Sequence, residues 1–388
     1  MTSEQDTNRR KTILMISMTR TATDVRIMRH ISHLVWKYDF VTIGYGESPS
    51  NVIQHVEIPK DVSYLPISLG SVIPHFLRMF KVSSRKTPAV NYVLQQLDSI
   101  SFDLLWLNDV QTLPLLENIH ASVLVDMHEY APLEMEDDWR FRAFLMRYYK
   151  WLCSRYLQRA NQVVTVSNGL ADAYQKNFSV DCLTVLNARE ERDLPVHRFS
   201  TGPIRLVHSG LAAKARKLEV MIHAVSGQPN LLLDMYLVDA PRQPRTLKRL
   251  KRLASQTSNV RICEPVPSGT LPEVINKYDL SLAYIAPANF SLRFCMPNKL
   301  FDSIQARVGV ISGPSIDMAD MCQKERIGLS TSRFDATELR TMLLALTAEE
   351  INAMKLSSNL CAAKITARSE AKKLEMAIEE ILSDEPSF

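Results

Sequence analysis

Apolar and polar positions alternate along this chain in blocks: a short apolar run, then a run with helical spacing. The series occurs twice. Residues 12–18 form an apolar run that ends in the polar loop TRTAT, and DVRIMRHISHLVWK then places Val25, Ile27, Met28, Ile31, Leu34 and Val35 at helical spacing before the next apolar run, FVTIGYG. This strand, loop, helix and strand predict the opening of a Rossmann-like domain. Further strands are predicted at 102–107 and 122–125, one long basic and aromatic helix at 140–159, the strand QVVTVS, the helix NGLADAYQKNF entered by a turn at Asn168 and Gly169, and a strand CLTVLNAR. The polar stretch EERDLPVHRFSTGP at 190–203 is the best linker. Beyond it IRLVHSG, KLEVMIHAV, NLLLDMYLVD, LKRLKRLAS, NVRICEP and LPEVINKYDLSLAYI repeat the alternation. Residues 289–313 then read as a polar loop, a helix opened by Pro297 with Leu300, Phe301 and Ile304 on its apolar side, and a buried strand at 308–312. A charged amphipathic helix at 364–382 closes the chain.

The expectation is an α/β protein with parallel sheets and right-handed crossovers. Its boundaries fall at an amino-terminal domain 1–190, a second domain 203–363, and a final helix 364–388. A length of 388 residues suits two cores, and 46% hydrophobic with 23% charged residues is a globular composition. The net charge of +4 does not argue for nucleic acid, and the cation excess is local to residues 205–261. There RQPRTLKRLKR sets Arg245, Lys248, Arg249 and Arg252 on one helix face, the pattern of a solvated outer surface without a base-stacking platform. Six scattered cysteines form no CxxC pair and no Cys/His cluster at metal spacing, so a reducing, cytoplasmic compartment is expected. The polar amino terminus MTSEQDTNRRK and the short apolar run 13–18 do not read as a signal peptide or a membrane span. The 140–159 segment mixes aromatic residues with six Lys or Arg, which adds peripheral contact with an anionic bilayer to the expectations. TRTAT contains no glycine, so the dinucleotide fingerprint is absent.

Candidate chemistry gathers at two places. The helix opened by Pro297 presents Asn298, Lys299 and its first amides to whatever occupies the preceding loop, and such a helix start favours anions. Asp302 adds a carboxylate one turn later, so a phosphorylated, hydroxylated ligand suits the segment. His128 stands in DMHEY at the carboxyl end of a predicted strand, the edge where open α/β sheets place ligands, with Asp126 and Glu129 as companions. Glu129 is open to two readings, an orienting carboxylate or a surface residue.

PNKLFDSIQA followed by VGVISGP, and VTVSNGLADAY at the end of the first series, resemble retaining glycosyltransferases of the two-Rossmann (GT-B) type, the family 4-like or group 1 glycosyltransferases. The resemblance covers nearly the whole chain. It implies two Rossmann-like domains facing a cleft, a final helix 364–388 packed back on the first domain, and a hexosyltransferase-like enzyme of glycan biosynthesis. Such an enzyme moves a sugar from a nucleotide-sugar to a glycan or lipid-linked acceptor with retention and without a metal. It further implies that His128 lies beside the reacting sugar, that Arg216, Lys217, Asn298, Lys299 and Asp302 bind the donor, and that Asp24, Arg26 and Glu129 lie on the acceptor side. Asp24 and Arg26 match the family's Asp-x-Arg segment.

Five departures stand against this. The first arginine of the family's diphosphate grip falls on Leu211, the first of its paired glutamates on Phe294 and the second on the shorter Asp302, Arg307 replaces a glycine, and Gly309 a proline. Two alternatives therefore stay open: a catalytically silent binding or scaffold protein, and a sugar-nucleotide epimerase.

Overall fold

The computed structural model describes residues 9–66, 72–240 and 243–383. The first eight residues of the polar amino terminus, residues 67–71 and Arg242 at the head of the basic run lie outside them. Two compact units result, Met1–Leu186 with Glu370–Phe388, and Asn187–Ser369.

The strands of the first unit are β1 (Thr12–Arg20), β2 (Asp39–Tyr45), β3 (Gln54–Ile58), β4 (Leu104–Asn108), β5 (Val123–Met127), β6 (Gln162–Thr165) and β7 (Cys182–Thr184). Among the described residues they form one parallel seven-stranded sheet in the order β3-β2-β1-β4-β5-β6-β7. The order reverses at β1, so a crevice opens between the carboxyl ends of β1 and β4. The core lies on the sheet face against two helices. Ile27, Ile31 and Leu34 of Val25–Leu34 and Leu374, Ile378 and Ile381 of Ala367–Ser383 repeat the same spacing and pack with Ile13, Phe40, Trp106 and Leu124. The closing helix thus completes the core of a sheet built from the other end of the chain.

The predicted helix over 140–159 is broken in three. A π-helical turn Phe141–Leu145 leads into Met146–Tyr156, and a 3-10 turn Leu157–Arg159 ends it. Tyr148, Tyr149, Leu152, Cys153 and Tyr156 are buried while Arg142, Arg147, Lys150 and Arg155 are exposed. Most of its aromatic residues are core, and its outward face is cationic. Strand β3 went unread because QHVEI alternates on a half-exposed edge, and only 182–184 of CLTVLNAR pairs with β6. No helix among the described residues is long and apolar enough to cross a membrane.

The second unit contains β8 (Ile204–Ala212), β9 (Leu231–Asp239), β10 (Val260–Cys263), β11 (Leu280–Ala283), β12 (Gly309–Ser312) and β13 (Gly328–Ser330), parallel in the order β10-β9-β8-β11-β12-β13. The switch point lies between β8 and β11. Its main core packs Leu206, Leu233, Leu282 and Ile311 from one face of the sheet against Met221, Leu250, Leu339 and Ile351 from the helices.

Two of the sequence departures are resolved here. Arg307 takes a left-handed φ of 60° as the residue after the helix cap, where glycine is the ordinary choice. The Val308 amide donates to Ser303 O (3.3 Å) and the Arg307 amide to Ile304 O (3.0 Å), the paired bonds of a Schellman ending. Asn359 Oδ1 (2.9 Å) and Gln305 O (2.7 Å) accept from the Arg307 guanidinium and hold it in a conformation that costs an L-residue about 1 kcal/mol. At Gly309 an added Cβ would meet Leu280 Cδ2 at 2.6 Å and Met354 Cβ at 3.0 Å, so the neighbouring strand and a helix both crowd this position and favour glycine.

Candidate functional site

In the first unit the carboxyl ends of β4 and β5 bring together a charged cluster. The register pairs Asn108 with Asp126, so the residues that follow each strand emerge side by side. Asp109 turns the chain at a positive φ of 64° and its amide donates to Asp126 O at 2.9 Å. Its Oδ1 accepts from the His128 amide (3.1 Å), and its Oδ2 lies 3.3 Å from His128 Nδ1. On the other side His128 Nε2 is 3.6 Å from Asp126 Oδ2, beyond hydrogen-bond length. Burial works against a charged imidazole, but Asp109 and Asp126 outweigh it and push the His128 pKa up to about 9. At neutral pH His128 is therefore a cation and a donor, not a base. Burial likewise raises Asp109, against the pull of His128, and Glu134 nearby is pushed up to about 7 by burial and by the charges of Asp109 and Glu129.

Beneath the cluster Asp126 is fully buried in a two-pronged bond with Arg26, Oδ2 to Nε and Oδ1 to Nη2, both 2.9 Å. Arg26 Nη1 also donates to Val185 O at 3.0 Å. Buried His30 lies 3.3 Å from the same Oδ2 and is held down to about 4, by burial first, so it stays neutral. Asp24 caps the Val25–Leu34 helix, accepting from the amides of Arg26 (3.1 Å) and Ile27 (3.2 Å). Glu129 is exposed, and its carbonyl accepts from the Tyr174 hydroxyl at 2.7 Å. The carboxylates flanking the imidazole are thus Asp109 and Asp126. No motif marked Asp109; its only sequence signal is its place directly after a strand.

In the second unit three nitrogens converge over Gly210, where β8 parts from β11. A Cβ placed on Gly210 would lie 3.2 Å from Arg216 Nη1, 3.3 Å from Lys299 Nζ and 3.7 Å from His208 Nε2. Only a residue without a side chain leaves this point open. Lys299 is buried, and its ammonium has no hydrogen-bond partner among the described residues. Burial, then the Arg216 charge, lower its pKa to about 7, with Cys295 and Asp302 acting in the opposite direction. A buried, unpaired ammonium is unfavourable, so this cradle is built for an anion supplied from outside.

The structure thus brings Arg216 and Lys299 together and separates the other donor candidates from them. Lys217 is exposed in a left-handed turn at φ 46°, and Asn298 is exposed at the helix start. Asp302 is buried, and its carboxylate is engaged by Arg189, with Nε at 2.7 Å and Nη2 at 3.2 Å. The oxygens expected to meet ribose hydroxyls already accept from a guanidinium.

No family model matches the chain, and no curated protein matches it in sequence. Solved structures do match in fold. Alr3699/HepE of Anabaena in complex with UDP superimposes with a TM-score of 0.71 at 10% identity, over 95% of this chain and 100% of that one. Sucrose-phosphate synthase of Thermosynechococcus elongatus gives 0.70 at 11% identity over 97% and 100%. A glycosyltransferase of Rickettsia africae gives 0.65 at 12% over 97% and 100%. With its two parallel sheets of seven and six strands flanked by helices, the chain has the GT-B fold.

Proposed function

We propose that this chain is a glycosyltransferase that takes a sugar from a nucleotide-sugar, holding the donor diphosphate over Gly210 between Arg216 and Lys299. The observation that carries this is the buried Lys299 ammonium without a partner, beside a second cation and a point that only glycine leaves empty. When the sugar departs, negative charge develops on the phosphate left behind. Donors already aimed at that charge in a water-poor site stabilise it without reorganising. The two cations do this without a divalent metal, in keeping with a metal-free transfer.

In the first unit the His128 imidazolium, fixed by Asp109, is a hydrogen-bond donor for the acceptor, which we take to be a glycan or a lipid-linked saccharide. Retention of configuration belongs to the same proposal and rests on the resemblance of PNKLFD and VTVSNGLADAY. HepE was crystallised with UDP and with UDP-glucose, which makes uridine nucleotides the first donors to try. A second reading, a binding protein without turnover, is favoured by Phe294 in place of a glutamate and by the engagement of Asp302 with Arg189.

A thermal-shift panel of nucleotides and nucleotide-sugars tests the site. A ligand at a hundred times its Kd adds about 2.7 kcal/mol to the native state, a readily measured rise in Tm. Lys299→Met and Gly210→Ala should both abolish the rise, the second by filling the cradle. A flat panel with the wild-type chain refutes the site. Binding without acceptor-dependent release of free nucleotide moves the assignment to the silent reading, and a changed sugar nucleotide without an acceptor points to an epimerase.

A further inference from the structure

His208 carried no signal in the sequence, where it reads as one residue of a buried strand. In the structure it sits at the switch point. Strands β8 and β11 pair through Leu206 and Val207, and at the next residue His208 Nδ1 lies 2.8 Å from the carbonyl oxygen of Leu282. A carbonyl can only accept, so Nδ1 carries the proton and Nε2 of the neutral ring is a bare acceptor. Nε2 is buried and has no hydrogen-bond partner among the described residues, although it faces the same point over Gly210 as Lys299 Nζ and Arg216 Nη1. An unpaired acceptor among cations is a poor arrangement for an empty site. It becomes a good one when an anion arrives together with a proton.

We propose that His208 takes the place of the arginine absent at Leu211: on donor binding Nε2 takes up a proton from solvent and donates it in a hydrogen bond to a diphosphate oxygen. This rests on the donor site proposed above. The imidazole is neutral in the free protein because burial, then the Lys299 charge and the Arg216 charge, hold it well below the usual histidine range, against the Leu282 carbonyl. Facing it are Lys299 from the Asn298–Gln305 helix and Arg216 from the turn after β8, while Cys295 and Asp302 act on Lys299. A diphosphate between these groups reverses the balance and favours the charged ring.

Proton uptake counts the acceptors. Lys299, its pKa lowered to about 7, can itself take up part of a proton at pH 7, and Lys299→Arg removes that share. The probe is UDP-glucose, whose phosphodiester oxygens do not titrate near neutrality, measured by calorimetry at pH 7 in two buffers of different ionisation enthalpy. GDP-mannose and ADP-glucose serve as probes of a different base. We expect uptake well above half a proton in the wild type, and about one proton still taken up in Lys299→Arg, whose guanidinium stays charged. His208→Gln, checked for an unchanged Tm, should lose that proton and bind about 10- to 150-fold more weakly, the range for a hydrogen bond to a charged group. Loss of all uptake in Lys299→Arg, or wild-type uptake in His208→Gln, overturns the role of His208 and leaves the donor site standing. Absence of heat and of any rise in Tm with all three probes overturns both.

Discussion

Replacing Asp126 by Asn should damage the first unit more than any surface change, because the carboxylate holds a buried guanidinium in a two-pronged bond. Asp126 is fully buried and Arg26 is 6% exposed, so little water screens the pair. Asparagine removes the charge, keeps the volume, and turns an amide N–H group towards the donors of Arg26. Removing one partner of a buried pair costs about 3–5 kcal/mol. The upper half of that range applies, since His128, charged at neutral pH, loses the same neighbour. Against a total stability of about 5–15 kcal/mol the loss is large. Urea unfolding followed by tryptophan fluorescence reads it directly. All four tryptophans, at 36, 106, 139 and 151, belong to the first unit, and Trp106 is fully buried, so the signal isolates that unit in a chain not expected to unfold in two states. Arg26→Met with Asp126→Leu removes both charges and should lie closer to the wild type than the single change. The pH dependence has a definite sign. Although burial alone would raise it, the Arg26 and His128 charges hold the Asp126 carboxyl well below its ordinary range, so its stabilisation is present above about pH 4 and is lost as pH falls through the lowered value. The gap between wild type and Asp126→Asn should therefore close in strong acid. A loss under about 1 kcal/mol at pH 7, or a gap independent of pH, would refute the reasoning.

Asp302→Asn should lower the stability of the second unit by roughly 1.5–3 kcal/mol, the scale of a hydrogen bond to a charged group, and leave nucleotide affinity unchanged, because Arg189 is the partner it abandons. Calorimetric melting beside nucleotide titration decides this: unchanged melting with weakened binding would return Asp302 to the ribose. His128→Asn should cut turnover far more than donor affinity. The folded-state pKa of about 9 lies above the ordinary value, so His128 contributes stability that is complete below about pH 6.5 and is lost as pH rises through 9. The variant should lack that decline in urea titrations from pH 6 to pH 10, and an identical decline in both proteins would show that the imidazole is not charged.

The sequence by itself determined the elements and their order. Ile27, Ile31 and Leu34 can only face one side of a helix, and VLVDM or GVIS can only be buried strands, because side-chain periodicity is a local property that the backbone imposes. Two parallel series of strands and helices follow, as does the place of His128 after a strand and of Lys299 in the first turn of a helix opened by a proline. The break in the 140–159 helix escaped this logic, since its aromatic residues lie around the whole helix and give no period to read. The companions of each candidate residue were decided only in three dimensions. Asp109 reaches His128 because β4 and β5 pair Asn108 with Asp126, and His208 meets Lys299 because β8 leaves β11 one residue after Val207. Arg189 claims Asp302 across more than a hundred residues of chain. Register, switch point and burial are properties of the assembled sheets. They turn a strand histidine into an acceptor among cations and a helix aspartate into the partner of an arginine, and no local spacing encodes either.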